Sequence, residues 1–498
     1  MPRILNRSPL LVVSATLVSF ALAGCGSEPV GPGSDPGDGR SIHPAVIVDC
    51  DEPADIRARI DALEGDGTLN TGQATALRAK LDQAERWEAE GRTDKAAEAY
   101  DRLIRQVEEW IADGVLTEAD AAELLACAED VADGPDGLPL AVISAGFRHT
   151  CAVVSDGQAY CWGLNNWGQL GDGNGGIGSA IPVPVNGELA FQSISAGGFH
   201  TCGLTVGGAA HCWGENSSGQ LGDDNFGTNS DLPVAVVEGH AFESISAGRL
   251  HTCALTALGA AYCWGNNSSG SLGDGNGGVG NDSDIPVPVL GGLAFESISA
   301  GDFHTCGVAI DGNAYCWGFN DTGQLGKGDS GFTTGSDVPV LVAGELSFEA
   351  ISGGNRHSCG VANGGEGFCW GENDFGELGD GSAGTDSDTP VPVVGVLSFG
   401  SIGAGSLHSS GMTVGGAAYC WGNNNNGQRG DGIALTPVDA PVPVAGELVF
   451  DSIDVGRHHT CGVTTLGEAY CWGLNADGEL GDGNAPTDSN IPVPVPIP

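Results

Sequence analysis

Basic residues are scarce in this sequence. Its 498 residues include 18 Lys and Arg against 64 Asp and Glu, which gives a formal net charge of −46. A surface of that sign repels phosphate backbones and anionic lipid headgroups over about a Debye length. We therefore expect no direct binding of nucleic acid.

Common catalytic and metal-binding motifs are also missing. The chain contains no GxSxG, HExxH or P-loop sequence, and none of its cysteines form a C-x-x-C pair. Its carboxylates recur at equivalent places in repeated turns, whereas a catalytic centre needs a unique constellation. We expect a protein that is not an enzyme, with no catalytic residue, no bound metal and no cofactor.

Glycine, in contrast, is abundant. The chain has 84 Gly and 25 Pro, with 16% charged and 41% hydrophobic residues. This composition excludes a mostly helical enzyme, and the hydrophobic share is large enough to bury a core, which excludes an ordinary disordered tail. The composition predicts an all-β, turn-rich protein, and the length alone allows about three domains.

Cysteine usage indicates the compartment. Sixteen Cys stand beside 2 Met, and that many thiols are more naturally interpreted as disulfides formed after export than as free thiols in a reducing cytosol. Metal clusters are the competing interpretation.

The first residues have the pattern of an export signal. Arg3 and Arg7 precede an apolar run over 10–22, which is followed closely by Cys25. The run is short for a membrane-spanning helix. The tetrapeptide Leu-Ala-Gly-Cys resembles the bacterial lipobox, which implies that residues 1–25 are a lipoprotein signal and that Cys25 carries the lipid. A plain signal peptide is the alternative. Residues 26–48 are predicted to be a flexible linker rich in Gly, Pro and Ser.

Residues 49–133 are predicted to form a small α-helical bundle. Four segments have helical spacing of apolar residues, beginning at Ile56, Leu77, Leu103 and Leu124. Cys50 and Cys127 flank the module, and a disulfide between them would tie its ends together. The segments 69–74 and 110–116 resemble a helical module found in many secreted bacterial proteins, a resemblance that implies no chemistry.

From residue 138 onward one unit recurs seven times. Its signature histidine returns every 51 to 53 residues, a period typical of a solenoid or a propeller. Each unit contains four short strand-like segments separated by Gly-rich turns, which is the content of one propeller blade. The seven histidines are His149, His200, His251, His304, His357, His408 and His459.

The unit A-G-x-x-H-T-C-x-x-x-x-x-G-x-A-Y-C-W-G-x-N-x-x-G-x-L-G-D-G resembles the RCC1 repeat. The resemblance implies a seven-bladed β-propeller over residues 136–498. It also implies guanine-nucleotide exchange on a small nuclear GTPase, with chromatin binding as a second activity. The propeller region has 38 acidic and 6 basic residues, which disfavours chromatin, so exchange stays as an alternative.

Strand placement and ring closure follow from the Pro-Val-Pro-Val segments. Proline lacks the amide that an inner strand donates, so these segments are predicted to lie at the outer edge of each blade. The last one, at 491–495, is expected to return to the first blade and close the ring. The signature histidines and the repeated tryptophans are predicted to pack between blades rather than to bind metals or ligands; the tryptophans are Trp162, Trp213, Trp264, Trp317, Trp370, Trp421 and Trp472.

Cysteines ten positions apart are predicted to face each other across a hairpin and to form local disulfides. In the sixth unit Ser410 replaces the first cysteine and Arg429 replaces a leucine, so Cys420 has no local partner. A buried free thiol is the favoured interpretation, and a reactive or intermolecular thiol is the alternative. The six expected pairs are Cys151–Cys161, Cys202–Cys212, Cys253–Cys263, Cys306–Cys316, Cys359–Cys369 and Cys461–Cys471.

Candidate partner-binding residues lie where the units differ. Trp167, Phe226, Phe332 and Phe375 interrupt polar loops, and exposed aromatics on a rigid scaffold are suited to anchoring a protein partner. Packing of these rings against their own blades is the alternative. A secreted bacterial inhibitor of β-lactamase resembles this chain in having a seven-bladed propeller of the same repeat type, and it holds its target with loop aromatics.

The same loops are rich in Asp, Asn and Gly. Such turns offer oxygen ligands for weak Ca²⁺ binding, although the EF-hand order is absent and ordinary turn chemistry explains them equally. The loops concerned lie at 171–174, 274–277, 282–284 and 386–388.

Together these features predict a cell-envelope lipoprotein whose propeller is a non-catalytic protein-binding or scaffold module at an outer or exposed membrane surface. The partner is an unidentified protein or surface ligand. Inhibition of a secreted enzyme and Ca²⁺-dependent adhesion are further alternatives.

Overall fold

The computed structural model of the chain describes residues 53–65, 67–89, 99–100, 102–104, 106–107, 110–111, 115–117, 121, 124, 140–187, 189–433 and 436–497. The expected signal segment at 1–25 with Cys25, the linker at 26–48 and the disulfide between Cys50 and Cys127 lie outside these residues.

The predicted helical region precedes the sheets. Helix α1 spans Pro53–Gly65 and helix α2 spans Thr71–Ala89. Asn70 caps α2: its Oδ1 accepts hydrogen bonds from the amides of Gly72 and Gln73 at 2.9 and 3.1 Å, and Gln73 returns the bond to the Asn70 amide. The apolar positions of the helical spacing are buried together, among them Ile56, Ile60, Leu77, Leu81, Leu103, Val107 and Leu124.

Seven four-stranded antiparallel sheets follow, which confirms the seven-bladed β-propeller. The first strands of the blades are β1 (Leu140–Ala145), β5 (Phe191–Ala196), β9 (Phe242–Ala247), β13 (Phe295–Ala300), β17 (Phe348–Gly353), β21 (Phe399–Ala404) and β25 (Phe450–Val455). The second strands, which begin at the signature histidines, are β2 (His149–Val154), β6 (His200–Thr205), β10 (His251–Thr256), β14 (His304–Ala309), β18 (His357–Ala362), β22 (His408–Thr413) and β26 (His459–Thr464).

The third strands carry the repeated tryptophans, and the fourth strands carry the Pro-Val-Pro segments or their equivalents. The third strands are β3 (Ala159–Gly163), β7 (Ala210–Gly214), β11 (Ala261–Gly265), β15 (Ala314–Gly318), β19 (Gly367–Gly371), β23 (Ala418–Gly422) and β27 (Ala469–Gly473). The fourth strands are β4 (Ser179–Pro184), β8 (Ser230–Ala235), β12 (Ser283–Pro288), β16 (Ser336–Leu341), β20 (Ser387–Pro392), β24 (Val438–Pro443) and β28 (Ser489–Pro494).

Within every blade the strands are paired in the order of the chain. First strands of neighbouring blades contact each other around the axis, where the Ala196 amide donates to Ser144 Oγ at 3.1 Å. The proline-containing strands therefore form the outer edge, as predicted, since an edge strand does not need every amide.

Ring closure differs from the prediction. The segment expected to return to the first blade, 491–495, lies at the end of the seventh blade, where β28 pairs with β27. The first blade already has its own outer strand, β4, paired with β3. The prediction was wrong because it began each repeat unit at the Pro-Val strand. A blade instead begins at its inner strand and ends at the Pro-Val strand.

Packing between the last and first blades closes the ring instead. The Leu140 amide donates to the Gly467 carbonyl at 3.2 Å, and the Arg457 amide donates to the Gly146 carbonyl at 3.1 Å. One buried cluster contains Leu140 and Trp162 of the first blade together with Val495 and Ile497, so the last described residues contribute to the core of this junction.

Disulfides join the second and third strands of six blades. In each, the two cysteines stand directly opposite each other in the strand register, with Cα atoms 4.0 or 4.1 Å apart. In the sixth blade Ser410 stands opposite Cys420, which is a buried free thiol. The six bonded pairs are those expected from the spacing: Cys151–Cys161, Cys202–Cys212, Cys253–Cys263, Cys306–Cys316, Cys359–Cys369 and Cys461–Cys471.

Candidate binding face

The signature histidines join neighbouring blades. His149 Nε2 lies 2.8 Å from the hydroxyl of Thr201 in the next blade. That hydroxyl donates its one proton to the Gln169 carbonyl at 2.9 Å, so it accepts from the imidazole, which must carry its proton on Nε2. Trp213 Nε1 donates to the same carbonyl at 2.9 Å. One loop carbonyl of the first blade is thus held by two side chains of the second.

These contacts recur at all seven junctions, including the junction between the last blade and the first. There His459 Nε2 lies 2.8 Å from the hydroxyl of Thr150, and both Thr150 and Trp162 donate to the Glu479 carbonyl at 2.9 Å. The remaining histidine–hydroxyl pairs are His200–Thr252, His251–Thr305, His304–Ser358, His357–Ser409 and His408–Thr460. We call this set of contacts the blade latch.

A glycine makes the latch sterically feasible. Gly171, two residues after Gln169, has a φ of +69°, and a Cβ there would lie 2.7 Å from Trp213 Nε1. The indole therefore reaches the carbonyl only because the turn has no side chain at this position.

Burial keeps the latch histidines neutral. It lowers the pKa of His149 and His304 to about 3 and that of His251 to about 4. Their Nε2 atoms are committed to hydroxyls, and the described residues contain no group of three or more His, Cys, Asp or Glu side chains arranged to hold a metal. The geometry gives these histidines a structural role.

Two sets of loops emerge on one face of the ring. Because the strands are antiparallel, the turn from the first to the second strand and the long loop from the third to the fourth leave the sheet at the same edge. We call this side the loop face and the opposite side the hairpin face. Loops carry most of the variation between blades, so the loop face is where function is expected.

The four predicted aromatics lie on the loop face in four different blades. Trp167, Phe226 and Phe332 expose 43%, 53% and 83% of their surface, whereas Phe375 is half-buried. Within the described part of the chain no ring contact joins one of them to another. Only Phe332 belongs to a larger arrangement, with its ring centre 6.2 Å from that of Phe319.

That arrangement runs from the loop tips toward the axis. The rings of Phe319 and Phe303 are 6.1 Å apart, and the Arg249 guanidinium lies 5.0 Å from Phe303 and 5.8 Å from Phe147. We call Phe332, Phe319, Phe303 and Phe147, with Arg249 between the last two, the aromatic strip. Its rings offer apolar area to bury, and their edges and faces can pack against aromatic or cationic groups of a partner.

The axial part of this face was not predicted from the sequence. Its residues occupy the two positions between the Ala-Gly, Gly-Gly or Val-Gly of the first turn and the signature histidine, such as Phe147 and Arg148. These positions differ from blade to blade while the flanking residues repeat. That contrast was the available signal. Positions that vary between repeats while their neighbours stay the same indicate a surface that can bind a specific ligand.

Four of the six basic residues of the propeller lie at these axial positions: Arg148, Arg249, Arg356 and Arg457. Arg148 forms ion pairs with Asp477 and Glu479, at 2.6 and 3.1 Å. In a chain of net charge −46, this concentration makes the axial end of the loop face unlike the rest of the surface.

Burial also shifts carboxyl groups on this face. It raises the pKa of Asp302, beside the axis, to about 7, although Arg249 and Arg457 oppose the shift. It raises the pKa of Glu377 to about 8, where the carboxylate accepts a hydrogen bond from the Phe375 amide at 2.8 Å. Both groups are partly protonated near neutral pH.

The acidic turns considered for Ca²⁺ use their carboxylates internally. Asp172 Oδ1 accepts hydrogen bonds from Asn165 Nδ2 and the Asn174 amide, both at 3.0 Å. Asp274 makes the same contacts with Asn267 and Asn276, at 2.9 and 3.0 Å. Ordinary turn chemistry therefore accounts for these residues.

The sixth blade has an unusual core. Arg429 is 1% exposed and donates to Asp431 Oδ2 at 2.7 Å, while its Nε and Nη1 have no hydrogen-bond partner in the described structure. Burial raises the pKa of the Cys420 thiol far above its usual range. A thiol held in its neutral form is a poor nucleophile, so the geometry opposes the reactive alternative.

None of the helices among the described residues has the length and hydrophobicity needed to cross a membrane.

Comparisons with known proteins agree with this fold. The RCC1-like domain model matches residues 194–498, and RCC1 repeat models match 142–169 and 156–204. The ultraviolet-B receptor UVR8 of Arabidopsis thaliana is 31% identical over 367 residues, which cover 70% of this chain and 80% of that protein. The chain belongs to the RCC1-like domain family. Residues 53–133 match the FIMAH domain model.

Other members of the RCC1-like family extend the comparison. The E3 ubiquitin-protein ligase HERC2 of Homo sapiens is 30% identical over 350 residues, which cover 67% of this chain but only 7% of that protein. The crystal structure of Kap60 bound to yeast RCC1 (Prp20) contains a chain that matches with a TM-score of 0.60 at 21% identity, covering 72% of this chain and 85% of that chain. At that identity the likeness shows the fold alone.

Proposed function

We propose that this RCC1-like propeller is a non-catalytic module that binds a protein through its loop face. The observation that carries the proposal is the aromatic strip, which connects the 83% exposed ring of Phe332 to the axial arginines. Buried or half-buried rings beneath an exposed one give a rigid support, and rigid aromatic anchors dominate the energetics of protein interfaces.

The relatives support binding as the type of function. One solved structure is of yeast RCC1 (Prp20) with Kap60 bound, and another is described with the binding properties of Prp20p from Saccharomyces cerevisiae to Gsp1p and histones. By analogy of fold we extend protein binding, without the identity of the partner, to this chain. Nucleotide exchange has only the family resemblance in its favour.

The proposal includes a location. We propose that residues 1–25 act as a lipoprotein signal, that Cys25 carries the lipid, and that the propeller operates in the cell envelope. The apolar run before the Leu-Ala-Gly-Cys tetrapeptide supports this. So do the six disulfides of the propeller, since such bonds persist outside reducing compartments.

The test is capture of a partner from an envelope extract of the producing cells. The wild-type chain is compared with a variant in which Trp167, Phe226, Phe332 and Phe375 are replaced by Ala. We expect the captured protein to be lost with the variant, since each anchoring ring contributes about tenfold or more to affinity. Replacement of Leu258 and Ile310, exposed on the hairpin face, by Ser is the matched control. Equal capture by both variants would contradict the proposal.

A further inference from the structure

The four axial arginines divide into two kinds. Arg148 and Arg356 are neutralised by ion pairs, Arg148 with Asp477 and Arg356 with Asp321. Arg249 and Arg457 lie instead on aromatic rings: their guanidinium carbons are 5.8 and 4.9 Å from the centre of the same Phe147 ring. These two charges come from the third and the seventh blade and share the Phe147 ring of the first.

Neither Arg249 nor Arg457 forms an ion pair with a described residue, although both act electrostatically on the Asp302 carboxyl. The structure places no carboxylate of the described residues within 4.0 Å of either guanidinium, and both Nε atoms are buried without a hydrogen-bond acceptor there. Buried N–H groups normally find an acceptor, and guanidinium groups bind carboxylates through two parallel hydrogen bonds. The unused donors therefore indicate that an acceptor belongs at this position.

A cavity lies beside Arg457, whereas Arg249 is not among the residues that line it. It opens at the axis with a volume of about 80 Å³, and its lining includes Phe147, Asn355, Ser406 and Arg457. A space of this size admits a small polar group or a few waters rather than a whole cofactor. The amide of Asn355 and the hydroxyl of Ser406 supply further donors.

Asp302 is the one acidic side chain in the lining of this cavity. Because burial raises its pKa to about 7, a large fraction of the group is uncharged at neutral pH and able to donate a hydrogen bond. It therefore cancels only part of the charge of the two arginines, and the cavity keeps a positive character.

We propose that the axial cavity of the loop face binds a carboxylate group, held by Arg457 in its lining and attracted by the nearby charge of Arg249. This inference rests on the proposed binding function, because it assigns the chemistry of the ligand that the loop face accepts. The carboxylate belongs either to a free organic acid or to an acidic side chain of a protein partner. The acidic surface around the cavity repels anions, and the positive charge at the axis attracts them. The site is therefore expected to select anionic groups that can extend as far as the axis.

Isothermal titration of the full chain at 0.15 M NaCl distinguishes the two sources. Glutarate is the probe for a free acid, and a peptide of six glutamates is the probe for a protein side chain. Binding of glutarate identifies a small-acid site, whereas binding of the peptide without glutarate identifies a partner segment. Absence of binding by both probes, or tighter binding of inorganic phosphate than of either, overturns the proposal.

Substitutions locate the site. Arg457→Gln is expected to weaken binding of the probe at least about tenfold, because it removes a charge-assisted pair of hydrogen bonds. Arg249→Gln removes a nearby charge and is expected to weaken binding by a smaller factor. Lys327→Ala is the control: it removes one positive charge from a peripheral loop, where Lys327 pairs with Asp329, and is expected to leave the affinity unchanged. The variants Arg249→Lys and Arg457→Lys keep the charge and are expected to bind with intermediate affinity. Thermal melting verifies that every variant is folded.

Unchanged affinity of the two Gln variants overturns the inference. The proposed function is tested separately, since capture of a partner that depends on the loop aromatics is measured on variants with both arginines intact. Loss of capture with the aromatic variant but unchanged capture with the Gln variants would leave the binding function standing without the carboxylate site.

Discussion

His149 Nε2 donates a hydrogen bond to the hydroxyl of Thr201, 2.8 Å away in the next blade. The Thr201 hydroxyl in turn donates a hydrogen bond to the Gln169 carbonyl of the first blade. Neither residue contacts solvent. The pair thus connects two sheets that share no backbone ladder, and its repetition around the ring connects all seven.

Thr201→Val tests the blade latch. The change keeps the shape of the side chain but removes the hydroxyl, so the buried Nε2–H of His149 loses its acceptor. We expect the free energy of unfolding to fall by about 1–3 kcal/mol, measured by guanidinium titration. Thr205→Val in the same strand is the control, because its hydroxyl makes only a 3.4 Å contact with the Ala209 carbonyl. Equal losses for the two variants would contradict the latch.

Acid is expected to destabilise the propeller. The folded pKa of His304 is about 3, below the ordinary value of 6.5, so between these values the unfolded chain binds the proton and the folded chain does not. Stability from this group is complete above pH 6.5 and falls as the pH decreases toward 3, by about 1.4 kcal/mol per pH unit. The other latch histidines act in the same direction: His149, His200, His251, His357, His408 and His459.

Five carboxyl groups of the propeller oppose this trend, because burial raises their pKa values: Asp302, Glu372, Glu377, Asp454 and Glu479. Asp302 and Glu377 have folded pKa values of about 7 and about 8, above their ordinary values, so they favour the folded state as the pH falls. The histidines outnumber them. Melting temperatures measured from pH 7 to pH 5 should therefore decrease, and His304→Gln should reduce the slope. A slope that His304→Gln leaves unchanged would show that this histidine titrates normally.

The sixth blade should accept a seventh disulfide. Ser410 stands opposite Cys420 in the register that the six bonded pairs occupy, so Ser410→Cys is expected to form the bond without movement of the strands. Closing so short a loop should raise the free energy of unfolding by about 2–3 kcal/mol. Thiol titration under denaturing conditions should show the loss of the Cys420 thiol. Ser410→Ala is the control, and a persisting free thiol in the Cys variant would refute the expectation.

Cys25→Ser tests the proposed anchor. Without the thiol no lipid can be attached, so the protein is expected in the soluble fraction with an unchanged melting temperature, whereas the wild-type chain is expected in the membrane fraction. Cys420→Ser, which removes a buried thiol of the sixth blade, serves as the control. Retention of the Cys25 variant on membranes would refute lipid anchoring.

Much of the fold could be predicted from the sequence because the repeat constrains it strongly. The spacing of the signature histidines predicted seven blades, and the prolines placed the outer strands. The phase of the unit was not predictable from the period, since a cyclic repeat has no marked beginning. That ambiguity produced the error about 491–495, where β28 pairs within its own blade.

The candidate site was less accessible to such reasoning. The exposure of Phe332 follows from its place in a long polar loop. The contact of both Arg249 and Arg457 with the Phe147 ring does not, because these residues belong to three different blades that are brought together only when the propeller is closed. The ion pair of Arg429 with Asp431 in the sixth blade was likewise hidden, since a leucine occupies that place in the other blades.

The seven equivalent latches have a consequence for how the propeller can be rearranged. In a propeller closed by a C-terminal strand that pairs within the first blade, one junction differs from all the others. New termini at another junction would separate that strand from the blade in which it pairs. Here equivalent histidine, hydroxyl, carbonyl and indole groups are in contact at every junction. New chain termini between any two blades would therefore lie next to a similar set of contacts. Circularly permuted versions of this ring should therefore differ little in stability from one another, apart from the segment at Val495 and Ile497, which packs beneath the first blade.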